Sequence, residues 1–155
     1  MRRSTAKKRN IPLDPKFNDV LVTRFVNKIM LDGKKNIALN IFYGALEIIE
    51  NKTKENGLGV WKKALDNIMP GVEVRSRRIG GAVFQIPQEV RPERKVSLGM
   101  KWMIQFARQR SGKSMQEKLA EEILAAYKKE GGTFKKKEDI HRMAEANKAF
   151  SHFRF

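Results

Sequence analysis

The chain has 155 residues, and its 33 Lys and Arg against 17 Asp and Glu give a net charge of +16 and a pI near 10.3. A hydrophobic content of 41% supports folding and excludes a globally disordered chain, while so much positive charge opposes compaction and points to a polyanionic partner, nucleic acid before an anionic membrane surface. The absence of cysteine excludes disulfides and thiolate zinc sites, and the most apolar stretch, 38–49, is broken by Asn40, Gly44 and Glu47 and is too short to span a bilayer.

Arg2, Arg3, Lys7, Lys8 and Arg9 fall in the first nine residues with no acid among them. Such a run is solvated and reads as an interaction arm. No apolar segment follows it, so no secretory signal is expected. Pro12 and Pro15 keep the rest of the arm, to residue 17, extended or turned.

Helix one is predicted over 18–31, with Val22, Phe25, Val26, Ile29 and Met30 on one face and Asp32-Gly33 as its stop. Helix two is predicted over 36–51, with Ile37, Ile41, Leu46 and Ile49 as core candidates. Asn56-Gly57 breaks the chain. Helix three then carries Val60, Trp61, Ala64, Leu65 and Ile68 and stops at Pro70-Gly71. Helical spacing accounts for Phe25 and Trp61 as core residues without any role in stacking on bases.

A β-hairpin follows over 72–90. Gly80-Gly81 is its two-residue turn candidate, since both glycines accept the positive φ that type I′ or II′ turns need. That register sets Ile79 opposite Ala82, Arg77 opposite Phe84 and Arg75 opposite Ile86. Arg78, Ser76 and Val74 then face Val83, Gln85 and Pro87. Neither face is cleanly apolar, so the ribbon is expected to project in part, and Pro87 suits an edge or a free ribbon.

Helix four starts near Pro92 and runs to about Arg110, with a stripe of Val96, Met100, Met103 and Phe106 and with Trp102 beside it. Ser114 and Glu117 form a capping box for helix five, which Met115, Leu119, Ile123, Ala126 and Tyr127 line and Gly131-Gly132 closes. Helix six is predicted over 136–150, with Ile140, Met143, Ala144 and Phe150 on its apolar side. The last five residues, SHFRF, form an aromatic and basic tail.

Catalytic patterns are not found. The SGKS of 111–114 resembles the end of a phosphate-binding loop, but Ala107 stands where that loop needs its first glycine, and the stretch before it reads as helix rather than strand. His141 and His152 are the only histidines, and their spacing makes no metal motif. Glu121 and Glu122 read as surface ion-pair partners of nearby lysines. No catalytic residue, metal or cofactor is expected.

The positive signal is electrostatic. Residues 71–113 hold ten Lys or Arg and three Glu, and seven of the ten are Arg. The planar guanidinium matches phosphate bidentately and stacks on bases, so this bias favours nucleic acid over a merely solvated face.

Three stretches, LVTRFVNKIMLDGKKNIALNIFYGALE (21–47), VEVRSRRIGGAVFQIPQEVRPERK (72–95) and HRMAEANKAFSHFRF (141–155), closely resemble the family of bacterial small-subunit ribosomal protein seven. The resemblance covers essentially the whole chain in one register. It implies a mainly α, single-domain bundle of about six helices with a protruding β-hairpin and a basic N-terminal arm. The expected layout within 1–155 is an arm (1–17), helices one to three (18–71), the hairpin (72–90), helices four to six (91–150) and a tail (151–155).

The resemblance also implies a function. It is that of a cytoplasmic small-subunit protein, not an enzyme, which binds the 3′ major domain of 16S rRNA as a primary binder and nucleates assembly of the head. E-site tRNA and the mRNA path would lie nearby, with small-subunit proteins nine and eleven as neighbours. The implied rRNA contacts are Arg2, Arg3, Lys7, Lys8, Arg9, Lys34, Lys35, Arg75, Arg77, Arg78, Arg91, Arg94, Lys95, Lys101, Arg108, Arg110 and Lys113. Gly80, Gly81 and Arg142 would lie near the tRNA. Ala82-Val83-Phe84 is less polar than in many relatives, which leaves open whether Phe84 packs on protein or stacks on RNA. The rival reading is an architectural DNA-binding protein with the ribbon as its arm, but the Gly80-Gly81 tip offers no apolar wedge for a minor groove. An RNA-processing enzyme is a third class, and it lacks an acid-base pair.

Overall fold

Asp19 starts the first helix by accepting a hydrogen bond from the Leu21 amide (2.8 Å). Burial alone would raise its pKa. The hydrogen bonds from Lys62 and Leu21 outweigh that effect and hold the carboxyl below its ordinary value. In this computed structural model the described residues are 9–112 and 114–153. They form α1 (Val20–Ile29), α2 (Lys35–Thr53), α3 (Gly57–Ile68), β1 (Val72–Ile79), β2 (Ala82–Glu89), α4 (Pro92–Gln109), α5 (Met115–Tyr127) and α6 (Gly131–Ala146), followed by a 3-10 turn, Lys148–Phe153. The described chain is thus mainly α, six helices around one antiparallel two-stranded ribbon, as expected.

Three rings centre the core. Phe25 and Phe42 each lie 5.2 Å from Trp61, and 5.4 Å from one another, in tilted and edge-on arrangements that aromatic quadrupoles favour. All three are fully buried, which settles Phe25 and Trp61 as packing residues. Helix α5 brings Leu119, Ala120, Ile123 and Ala126 into the same cluster and packs against α2, α3, α4 and α6.

The structure corrects three expectations. On α2 the buried face is Ala38, Phe42, Ala45, Leu46 and Ile49, whereas Ile37 is 55% exposed and Ile41 is half-buried. Helix α6 begins at Gly131, five residues before the predicted start, and gives way to the 3-10 turn after Ala146. Gly131-Gly132 therefore opens α6 rather than closing α5. Gly131 has φ +86°, and a Cβ on Gly132 would lie 2.6 Å from the Phe106 ring, so this corner requires residues without side chains.

Glu122 is the third correction. Its side chain is buried, not a surface partner. It accepts from the backbone amide of Thr133 (3.0 Å), from the Thr133 hydroxyl and from the Arg110 guanidinium. Glu130, the cap residue of α6, makes no side-chain cap bond, so the Glu122 carboxylate satisfies an orphan amide at this N-terminus. Its charge also suits the positive end of the helix dipole. Glu121 stays exposed and pairs with Arg110 at 3.8 Å.

The ribbon takes the predicted register, with Arg77 opposite Phe84, Arg75 opposite Ile86 and Val74 opposite Pro87. Gly80 and Gly81 both have positive φ, +55° and +90°, as the turn requires. Only the tip half projects. Ile86, Pro87 and Val90 are buried, α6 and the 3-10 turn pack against the strands, and the Val90 amide donates to the Gly71 carbonyl (3.1 Å) to close the base. Phe84 meets Phe150 with ring centroids 5.3 Å apart, so it packs on protein.

Removing one member of a buried charged pair leaves the other unpaired, at a typical cost of about 3–5 kcal/mol. Glu122→Ala should lose about 3 kcal/mol in urea unfolding, because Arg110 keeps part of its side chain in water. The Glu121→Ala variant, which removes an exposed partner, should change stability by under about 1 kcal/mol.

Candidate nucleic-acid interface

Helix α4 is sharply two-sided. Gly99, Met100, Trp102, Met103, Ile104 and Ala107 are buried, while Arg91, Arg94, Lys101 and Arg108 are exposed and Lys95 and Arg110 are half-buried. Pro92 at its first turn opens the helix three residues after the end of β2. The packing of α4 thus turns a row of cations outward beside β1.

Glu73 organises the junction. It accepts from Arg75 (2.9 Å) and from Arg94 (2.8 Å), linking β1 to the first turns of α4. Burial would raise the Glu73 pKa, but the hydrogen bonds from Arg94 and Arg75 outweigh that effect and leave it lowered. Arg75, Arg91 and Arg94 line one hollow with Glu73, Glu89, Glu93 and Ser97. A second hollow shares Glu93 and Ser97 with the first and adds Arg24 and Lys28 from α1. Lys28 also borders a third, lined by Lys101 and Arg108. Shared walls make these one continuous surface across β1, α4 and α1.

Other predicted residues stand differently. Arg108 lies at this surface, yet it donates to the Ile29 carbonyl (3.1 Å), the last residue of α1, where a cation is favoured. Arg110 turns inward to Glu122. Lys95 sits 3.9 Å from Glu89. Arg77 and Arg78 are exposed towards the ribbon tip, beside Gly80 and Gly81. Lys34 and Lys35 lie at the start of α2, with Lys34 3.9 Å from Asp32. Arg142 lies on α6 in a separate hollow with Lys137, His141 and Glu145, 4.0 Å from Asp139. Arg9 is exposed. Arg2, Arg3, Lys7, Lys8 and Lys113 lie outside the described residues, as do Arg154 and Phe155 of the tail.

Sequence reading missed Arg24 and Lys28. Their i, i+4 spacing puts both on the α1 face away from the Val22, Phe25 and Ile29 stripe, which was the available signal. Lys28 also reaches across to donate to Ser97 of α4 (3.0 Å).

Residues 1–148 match the family described as ribosomal protein S7p/S5e. The chain belongs to this family. Small ribosomal subunit protein uS7 of Cytophaga hutchinsonii is 61% identical over 155 residues, which is all of both chains. The proteins of that name from Christiangramia forsetii and Porphyromonas gingivalis are 61% and 59% identical over 158 aligned residues, again covering both chains in full. Membership makes the chain a ribosomal protein of the small subunit, in a family of structural proteins rather than enzymes, with ribosomal RNA as the polyanion its charge anticipates. No described helix is long and apolar enough to cross a membrane.

His141 fixes the root of the ribbon by accepting the Gly71 amide at its Nε2 (3.1 Å). Burial, and secondarily the charge of Lys137, push its pKa below the usual 6.5. A lowered folded pKa means that the bond stabilises fully above 6.5 and that this contribution is lost as pH falls through the folded value. Wild type should therefore lose more stability between pH 7 and 5 than His141→Gln, as read by urea unfolding at each pH. Parallel curves would show that His141 titrates alike in both states.

Proposed function

We propose that the chain is a primary binder of the 3′ major domain of 16S rRNA that nucleates assembly of the subunit head. The observation that carries this reading is the continuous cationic surface formed by Arg75, Arg91, Arg94 and Lys101 with Arg24 and Lys28. It crosses three elements and has the breadth to hold several phosphates of a folded RNA. Such RNA is recognised largely by shape and backbone, which suits Arg forks on a rigid helix better than a reading helix in a groove. Arg2, Arg3, Lys7, Lys8, Arg9, Lys34, Lys35, Arg77, Arg78, Lys95, Arg108, Arg110 and Lys113 complete the proposed contacts. Those of Arg108 and Arg110 are subordinate, because their guanidiniums already serve internal acceptors.

The exposed ribbon tip supports a second contact. Gly80 and Gly81, with Arg142 on the flank, would lie towards E-site tRNA and the mRNA path, and small-subunit proteins nine and eleven would be the neighbours in the assembled particle. The family membership and the outward tip support this placement.

If about six to ten phosphates are neutralised, raising salt from 50 to 200 mM should weaken binding to a head-domain rRNA fragment by roughly 10³–10⁵. A nearly flat dependence, measured by filter binding, would refute the electrostatic reading.

Replacing Gly80 and Gly81 together with Val forces Cβ atoms into positive φ and should splay the ribbon end. Of the proposed rRNA contacts only Arg77 and Arg78 lie beside the tip, and the arm and α4 carry most of the rest, so rRNA docking should survive with a modest loss of affinity. Chemical footprinting of E-site tRNA on reconstituted subunits should show reduced protection. Failure of head assembly would instead assign docking to the tip.

A further inference from the structure

The hollow between α1 and α4 differs from its neighbours in chemistry. It encloses about 480 Å³, within the range of pockets that hold small planar ligands. Its floor is formed largely by the aliphatic stems of its Lys, Arg and Gln side chains, over Ile104, which is itself only 3% exposed. Lys28, Lys101 and Arg108 stand around it, and no carboxylate of a described residue lines it, whereas the hollow that shares Lys28 with it contains Glu93, and the next one along contains Glu73, Glu89 and Glu93. Gln105 and Gln109 complete the wall. They are four residues apart on one face of α4, exposed, and without a side-chain hydrogen bond to any described residue.

Phosphate alone does not require such a place. A site for phosphates needs donors and charge, and an apolar floor contributes nothing to it. An unstacked base does need one, because it must bury a flat apolar face and satisfy an edge of donors and acceptors. A carboxamide has both a donor and an acceptor and pairs bidentately with adenine. Lys28 and Lys101 lie on opposite helices, where they can hold the phosphates on either side of an extruded nucleotide.

We propose that this hollow takes one unstacked base of the bound RNA, an adenine, with its face against the aliphatic stems of Lys28, Lys101 and Arg108 above Ile104 and its edge on Gln105 and Gln109. The inference rests on the rRNA-binding reading above and adds base recognition to it. It predicts a contact that carries sequence preference on a surface that otherwise reads backbone.

The test uses the full chain and the Gln105→Ala, Gln109→Ala double variant. Both glutamines are exposed, so the fold should persist, with an unchanged Tm as the check. Affinity for the head-domain rRNA fragment should fall about tenfold with the slope of log Kd against log salt unchanged, because a base contact is lost and no phosphate contact is. In a separate titration with a four-residue oligoadenylate, the side-chain amide NMR signals of Gln105 and Gln109 should shift. They should stay still with an abasic ribose-phosphate tetramer of equal charge. Unchanged affinity with still signals would overturn the inference while leaving the salt-driven binding intact. A fall in affinity accompanied by a shallower salt slope, or equal shifts with the abasic tetramer, would reassign the hollow to backbone and overturn it as well. If wild type fails to bind the rRNA fragment, the broader reading falls, and the oligoadenylate titration still decides the hollow.

Discussion

Glu122 carries a carboxylate into the bundle, and three elements close around it. Arg110 comes from the residue that caps α4, Thr133 from the first turn of α6, and Glu122 itself from the middle of α5. An unpaired charge at this depth would be costly, so each partner fixes the next. The position of α6 depends on this junction, since the helix starts on two glycines and has no side-chain cap of its own. The root of the ribbon depends on α6 in turn, through His141 and through the packing of α6 on β1. An interaction inside the bundle thereby sets where the exposed arginines of β1 stand relative to α4.

The same chain has to fold while carrying a charge of +16. Two acids relieve repulsion from largely buried side-chain positions, while Glu89 and Glu93 stand exposed among the cations of the proposed surface. Asp19 takes Lys62 away from that surface, and Glu73 sits beneath it between Arg75 and Arg94. The Glu73 arrangement has two effects. It lowers local charge by one, and it holds two guanidiniums in a fixed orientation before any ligand arrives. Pre-orientation reduces the side-chain entropy lost on binding, which is large for Arg. Arg78, Arg91 and Lys101 have no ion pair among the described residues and remain fully available to phosphate.

The sequence made much of this fold legible where one signal had one reading. The α1 and α3 stripes, the Gly80-Gly81 turn and the ribbon register are of that kind, because period and turn chemistry allow few alternatives. Helix α2 failed because Ile37, Leu39, Ile41, Phe42, Leu46, Ile48 and Ile49 place apolar groups nearly all round, so periodicity could not choose the face. The start of α6 failed because glycine normally ends helices, and the carboxylate that satisfies its first turn lies eleven residues earlier in the chain. Glu122 failed for the same reason, since its partners are remote in sequence. At the candidate site, the cations of α4 and β1 were legible from charge alone. Their division into outward-facing and internally bonded residues was not, because it depends on tertiary contacts such as Arg108 to Ile29.

That division bears on how the ribbon works. Its two halves obey different constraints although they share one ladder. Near the root, Ile86 and Pro87 are buried and Gly71 is tied to both Val90 and His141, and further out Phe84, opposite Arg77, packs on Phe150. Near the tip, residues 75–78 and 80–83 are exposed. Pro87 can sit in this ladder because the sheet has only two strands and no third strand asks for its missing amide. A root packed on protein fixes the direction of the ribbon, and the exposed tip keeps Arg78 in solvent. Burying the tip as well would add stability but would withdraw Arg78 from solvent, and with it the exposure that the proposed contact at the tip needs.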